Sequence, residues 1–221
     1  LAVAPANHLD VHLSRSLYCK DCMIVTITGY KGGIGKTTTA VHLAAFLHRH
    51  AGSTVLVDGD INRSASAWER NGSLPFRVVD ERQAAMVSRD FEHIVIDTAA
   101  RPVREDLQAL VAGCDCLVIP STPDALALDA LVQTVGALQV LGATNYRVLL
   151  TIVPPAPSRD AAEARASLAG QNVPVFETAI PRLAAFTKAA LTGVVVSDVV
   201  GDPRAERAWN AYARVGKELM E

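Results

Sequence analysis

The stretch Gly29-Tyr30-Lys31-Gly32-Gly33-Ile34-Gly35-Lys36-Thr37-Thr38-Thr39 decides how the chain reads. It follows an apolar run, Met23 to Gly29, and precedes a segment of helical period, Lys36 to His50. Gly32, Gly33 and Gly35 permit positive φ and let backbone N–H groups come close to an anion. A helix starting at Lys36 aims its unsatisfied N–H groups, and the positive end of its dipole, at the same point. In such a bend, with Ile34 and Thr38 completing the cradle, Lys36 reaches β- and γ-phosphates and Thr37 offers its hydroxyl to Mg²⁺. The strict pattern has glycine where Tyr30 stands, so this is a variant loop, with a second lysine, Lys31, at its front.

Outward from the loop the chain alternates short β-branched runs with helical periods, the signature of βα units around a parallel sheet. Strands are predicted at Met23–Gly29, Thr54–Asp60, Pro75–Asp80, His93–Thr98, Cys116–Ser121, Arg147–Val153 and Val173–Ile180. Helices are predicted at Lys36–His50, Glu81–Ser88, Arg104–Ala112, Ala127–Leu141, Arg159–Ala169, Arg182–Leu191 and Pro203–Met220, the last with Asp202 as N-cap. Several strands are apolar on both faces, as helices on each side require. The expected fold is a single doubly wound, mostly parallel α/β sheet spanning residues 23–221. Residues 1–22 lack a sustained period and are expected to be a leader outside it.

Two strand ends add carboxylates. His93-Ile-Val-Ile-Asp97-Thr98 ends in an acid, and Thr54-Val-Leu-Val-Asp58-Gly-Asp60 ends in two. Carboxyl ends of adjacent parallel strands share one sheet edge, so Lys36, Thr37, Asp58, Asp60 and Asp97 can converge there. Asp97 suits Mg²⁺ held through water, with Asp58 and Thr37 as further metal candidates. Each acid taken alone also reads as a helix cap or turn former.

With KGGIGKTT, VLVDGD, VIDT and the segment IPSTPDALALDAL (Ile119 to Leu131) in this order, the chain resembles the ParA/MinD family of deviant P-loop ATPases. The resemblance runs from Met23 to the C-terminus and is greatest to small ParA-type partition ATPases. It implies an ATP-sandwich homodimer in which Lys31 reaches the partner's ATP and Asp60 orients the attacking water. Pro120 and Pro123 match a segment near the nucleotide and the dimer face. The family's Asp-x-Asp-Pro-Gln is replaced here by Asp58-Gly-Asp60-Ile61-Asn62. A cation donated by a second subunit makes hydrolysis conditional on dimerisation, as an arginine finger does.

Composition sets the outer limits. The 221 residues are 50% hydrophobic, 20% charged and 5% aromatic, with a formal net charge of −2, which excludes disorder and disulfide-scaffold classes. No run approaches the roughly 18 apolar residues of a membrane span, and the N-terminus lacks a signal-peptide core. A cytoplasmic protein is expected, associated with the nucleoid when ATP is bound.

With no global positive field, DNA binding, which the resemblance implies together with a ParB-like adaptor, needs a local patch. Arg207, Asn210, Arg214 and Lys217 share one face of the last predicted helix; the alternative is a solvated face with an Arg214–Glu218 pair. Arg182 and Lys188 are further candidates. Two other readings are a MinD-like membrane-bound positioning ATPase and an iron–sulfur carrier. The ending GKELME is too polar for the first. The second would use Cys19-x-x-Cys22 or Cys114 and Cys116, which read more simply as leader and buried strand residues.

Overall fold

A computed structural model describes residues 22–100, 102 and 104–221. Six parallel strands form one sheet: β1 (Met23–Gly29), β2 (Thr54–Gly59), β3 (Arg77–Asp80), β4 (His93–Ala100), β5 (Cys116–Ser121) and β6 (Tyr146–Leu150). Their order is β3-β2-β4-β1-β5-β6, so β1 lies at the centre with the loop at its carboxyl end. The expected leader lies outside the described residues, apart from Cys22.

Alternation of side chains sorts the core onto the two faces. Val25, Leu56, Val95, Val118 and Leu149 point to one side, where they meet α1 (Lys36–His50), α2 (Ser64–Arg70), α7 (Ala184–Thr192) and α8 (Ala205–Met220). Leu117, Ile119, Val148 and Leu150 point to the other, towards α4 (Arg104–Gly113), α5 (Ala125–Val140) and α6 (Asp160–Ala169). The short α3 (Glu81–Val87) begins on Asp80 with a reciprocal capping box. Ten of the fifteen residues of α1 are buried, so the helix that starts in the loop also anchors the core.

Four expectations change. Val173–Ile180 forms no continuous strand; it runs beside β6 and makes isolated bridges at Val175 and, just past its end, at Pro181. Pro174 and Pro181 have no N–H to extend the ladder, and the amides of Glu177 and Thr178 donate instead to Glu218. That claims the carboxylate which the alternative, solvated-face reading pairs with Arg214. The last helix starts at Ala205, two residues after Pro203, because Asp202 accepts from Arg204 N in a preceding turn. It packs on α1, with Gly216 lying against Phe46. The helix α2 has no forecast, for a reason that belongs to the site.

Candidate functional site

The bend is built from below. Gly33 and Gly35 have φ of 75° and 86°, while Gly32 needs no positive φ. Between them Ile34 turns inward, 4% exposed, and its carbonyl accepts from Thr151 Oγ1 at 2.7 Å. A Cβ on Gly29 would stand 2.7 Å from Ile34 Cδ1, so strand and bend pack without room for a side chain. Thr39 N donates to Gly35 O and opens α1. Lys36, at the first helical position, is 7% exposed.

The acids converge as the strand ends predict. Asp58 and Asp97 are register partners across β2 and β4, and Ile27 pairs Asp97 on the other side. Asp58 is occupied: Oδ2 accepts from Ser66 N at 2.8 Å and Ser66 Oγ at 2.6 Å, and Oδ1 from Asp60 N at 3.3 Å. Asp60 Oδ1 accepts from the backbone and side-chain nitrogens of Asn62, both at 2.9 Å. Asp97 is fully buried, and neither of its oxygens has a hydrogen-bond partner. Burial pushes its pKa up to about 7, helped by the charges of Asp58 and Asp60 and opposed by the neighbouring Thr37 hydroxyl and Lys36 ammonium.

A buried carboxylate with unsatisfied oxygens beside a threonine hydroxyl suits a hard divalent cation such as Mg²⁺. No group of three or more His, Cys, Asp or Glu side chains is poised for a metal among the described residues. An ion here would therefore complete its shell with water and phosphate oxygens, in keeping with Mg²⁺'s reluctance to dehydrate.

Lys31 is engaged on the β5 side of the bend, whereas Asp97 stands on β4, across β1. The lysine ammonium makes an ion pair with Asp124 Oδ1 at 3.1 Å, the two side chains being 39% and 51% exposed. Asp124 caps α5, accepting from Ala127 N at 3.0 Å, and Thr122 Oγ1 donates to its other oxygen. Thr122 chiefly, with Lys31 and Ala127 N, holds its carboxyl below the usual range. Pro120 is buried in β5 with its carbonyl near Gly29, and Pro123 precedes the cap. Both expected prolines thus flank the lysine's side of the bend.

Behind the cradle, His42 is buried one turn past Thr38. Val196 N donates to Nε2 at 3.1 Å, so Nδ1 carries the proton and donates to Thr38 O at 2.6 Å. The ring stacks on Tyr212, whose hydroxyl meets Thr39 Oγ1 at 3.0 Å. Burial lowers the His42 pKa to about 4.

The basic candidates divide. Lys188 is paired with Asp202 at 2.8 Å. Arg207, Arg214 and Lys217 are exposed along α8 and make no ion pair among the described residues, and Arg182 lies before α7. Burial raises the thiols of Cys114 and Cys116 to about 12 and 11, keeping both protonated. Sequence reasoning missed Thr151, Ser66, Asp124 and His42, whose partners lie elsewhere in the chain.

The CobQ/CobB/MinD/ParA nucleotide binding domain family matches residues 25–196. A maintenance of carboxysome distribution protein A from Gloeobacter kilaueensis is 36% identical over 203 residues, covering 89% of this chain and 93% of that protein. A protein ParA from Rhizobium radiobacter is 28% identical, covering 74% of this chain and 80% of its own. In fold, the MinD cell division protein of Aquifex aeolicus superposes with a TM-score of 0.70 at 17% identity, covering 90% of this chain and 97% of its own. The chain therefore belongs to the CobQ/CobB/MinD/ParA nucleotide-binding family, as a ParA/MinD-type ATPase.

Proposed function

We propose that this chain is an Mg²⁺-dependent ATPase that closes into an ATP-sandwich homodimer, binds DNA nonspecifically and positions a cargo. The carrying observation is the pair of lysines around the bend: Lys36 buried at the helix start, Lys31 half-exposed on the outer side. Lys36 and the amides of residues 32–38 hold the phosphates of the protomer's own nucleotide. Thr37, and Asp97 through water, hold Mg²⁺, which neutralises phosphate charge; Asp58 supports them while anchoring α2. Asp60 orients the attacking water. Lys31 serves the partner's ATP, so hydrolysis waits for dimerisation.

The similarity to a carboxysome distribution protein and to a protein ParA supports cargo positioning as the output. Arg207, Arg214 and Lys217 supply an exposed cationic stripe without an ion pair among the described residues, and an adaptor of ParB-like role would stimulate turnover. No helix among the described residues is long and apolar enough to cross a membrane. The test is gel filtration and DNA retention with and without ATP·Mg²⁺. Both apparent mass and DNA retention should rise together with nucleotide, and retention should fall steeply with salt. Binding indifferent to both would overturn this reading.

A further inference from the structure

The ion pair between Lys31 and Asp124 joins two segments 93 residues apart at the ends of neighbouring strands β1 and β5. Three features set it apart from an incidental surface contact. The acceptor is fixed in advance, because Ala127 N and Thr122 Oγ1 hold one oxygen each. The donor is the lysine assigned to the partner's nucleotide. The pair is also half-exposed, so Lys31 can leave without stranding a buried charge.

We infer that Asp124 is a positioning residue for Lys31: it retains the ammonium on its own protomer until a partner's ATP competes for it. This rests on the reading of Lys31 given above. The physics suits a latch. A triphosphate carries several negative charges and draws an ammonium more strongly than one carboxylate does, while an exposed pair is weak enough to break. Once Lys31 has gone, Asp124 still caps α5, so the helix keeps its start in both states. The contact thus imposes a small threshold on dimer activation rather than supporting the fold.

The experiment measures ATP turnover per protomer against protein concentration for the wild type, Asp124→Asn, Lys31→Ala and the double variant. Asparagine caps a helix as well as aspartate does, so Asp124→Asn removes the charge and spares α5. The half-activating concentration should drop roughly two- to fivefold, the range an exposed ion pair allows, with an unchanged plateau. The double variant should match Lys31→Ala, because the effect passes through Lys31. A merely structural aspartate could only make activation harder. An unchanged or higher half-activating concentration in Asp124→Asn, with Lys31→Ala inactive, overturns the latch alone. Lys31→Ala turning over like the wild type overturns the lysine's role and the latch with it.

Discussion

Asp58 and Asp97 are register partners on adjacent strands and stand in opposite conditions: Asp58 accepts three hydrogen bonds, whereas Asp97, equally buried, accepts none. One acid anchors the fold through its donors; the other keeps both oxygens open, as the proposed Mg²⁺ role asks of it.

Asp97 should therefore cost stability when no ion is bound. Its folded pKa of about 7 lies above the ordinary 3.8, so its contribution is fully favourable below pH 3.8 and is lost as pH rises through 7. Asp97→Asn should be more stable than the wild type at pH 8 without nucleotide, by as much as about 4 kcal/mol, with the gap closing towards pH 4. Urea unfolding across that range measures it; a gap independent of pH would contradict the assignment.

The sign reverses at His42. Its folded pKa of about 4 lies below the ordinary 6.5, so its stabilisation is present above pH 6.5 and lost as pH falls through 4. Histidine NMR should show the neutral Nδ1–H tautomer persisting to about pH 4. Acid should remove roughly 3 kcal/mol through this group.

Asp58 anchors α2 through Ser66. Asp58→Ala should loosen residues 61–70 and cost roughly 2–3 kcal/mol, as removal of charge-assisted bonds does. Ser66→Ala, which keeps the amide donor, should cost about 1 kcal/mol. Hydrogen exchange localises the effect: protection should fall in α2 and persist in β2.

Helix α8 lies on α1 where Gly216 meets Phe46, and a Cβ there would stand 2.2 Å from the ring. Gly216→Ala should cost about 1–3 kcal/mol by overpacking, although alanine favours a helix. Thermal unfolding checks it.

On the outer face of the same helix, Arg214→Ala with Lys217→Ala should weaken ATP-dependent DNA retention. The log–log salt slope should shrink by about 0.9 for each phosphate that is no longer neutralised. ATP turnover in the absence of DNA should stay as in the wild type.

The parallel α/β class, the bend and its acids are legible because their signals are local. Gly33 and Gly35 sit where positive φ is needed, and Asp58 and Asp97 end apolar runs. What escaped depends on partners distant along the chain. The helix α2 starts at Ser64 after Arg63 at a φ of 53°, with no cap of its own. Its capping carboxylate is Asp58, on the preceding strand, so no adjacent residue announces it. Val173–Ile180 has strand-like residues, yet its prolines and the Glu218 carboxylate break its pairing with β6 into isolated bridges. Asp124 reads in sequence as part of a family segment, and only the adjacency of β1 and β5 brings it to Lys31.

The most direct test of Lys31 acting between subunits is a mixing experiment. Lys31→Ala retains a nucleotide site but lacks the donated ammonium; Lys36→Ala lacks the site but keeps Lys31. Each alone should be inactive in ATP hydrolysis, and mixing the two should restore turnover on the Lys31→Ala protomer. A mixture as inactive as its components, or Lys31→Ala fully active alone, would contradict the account.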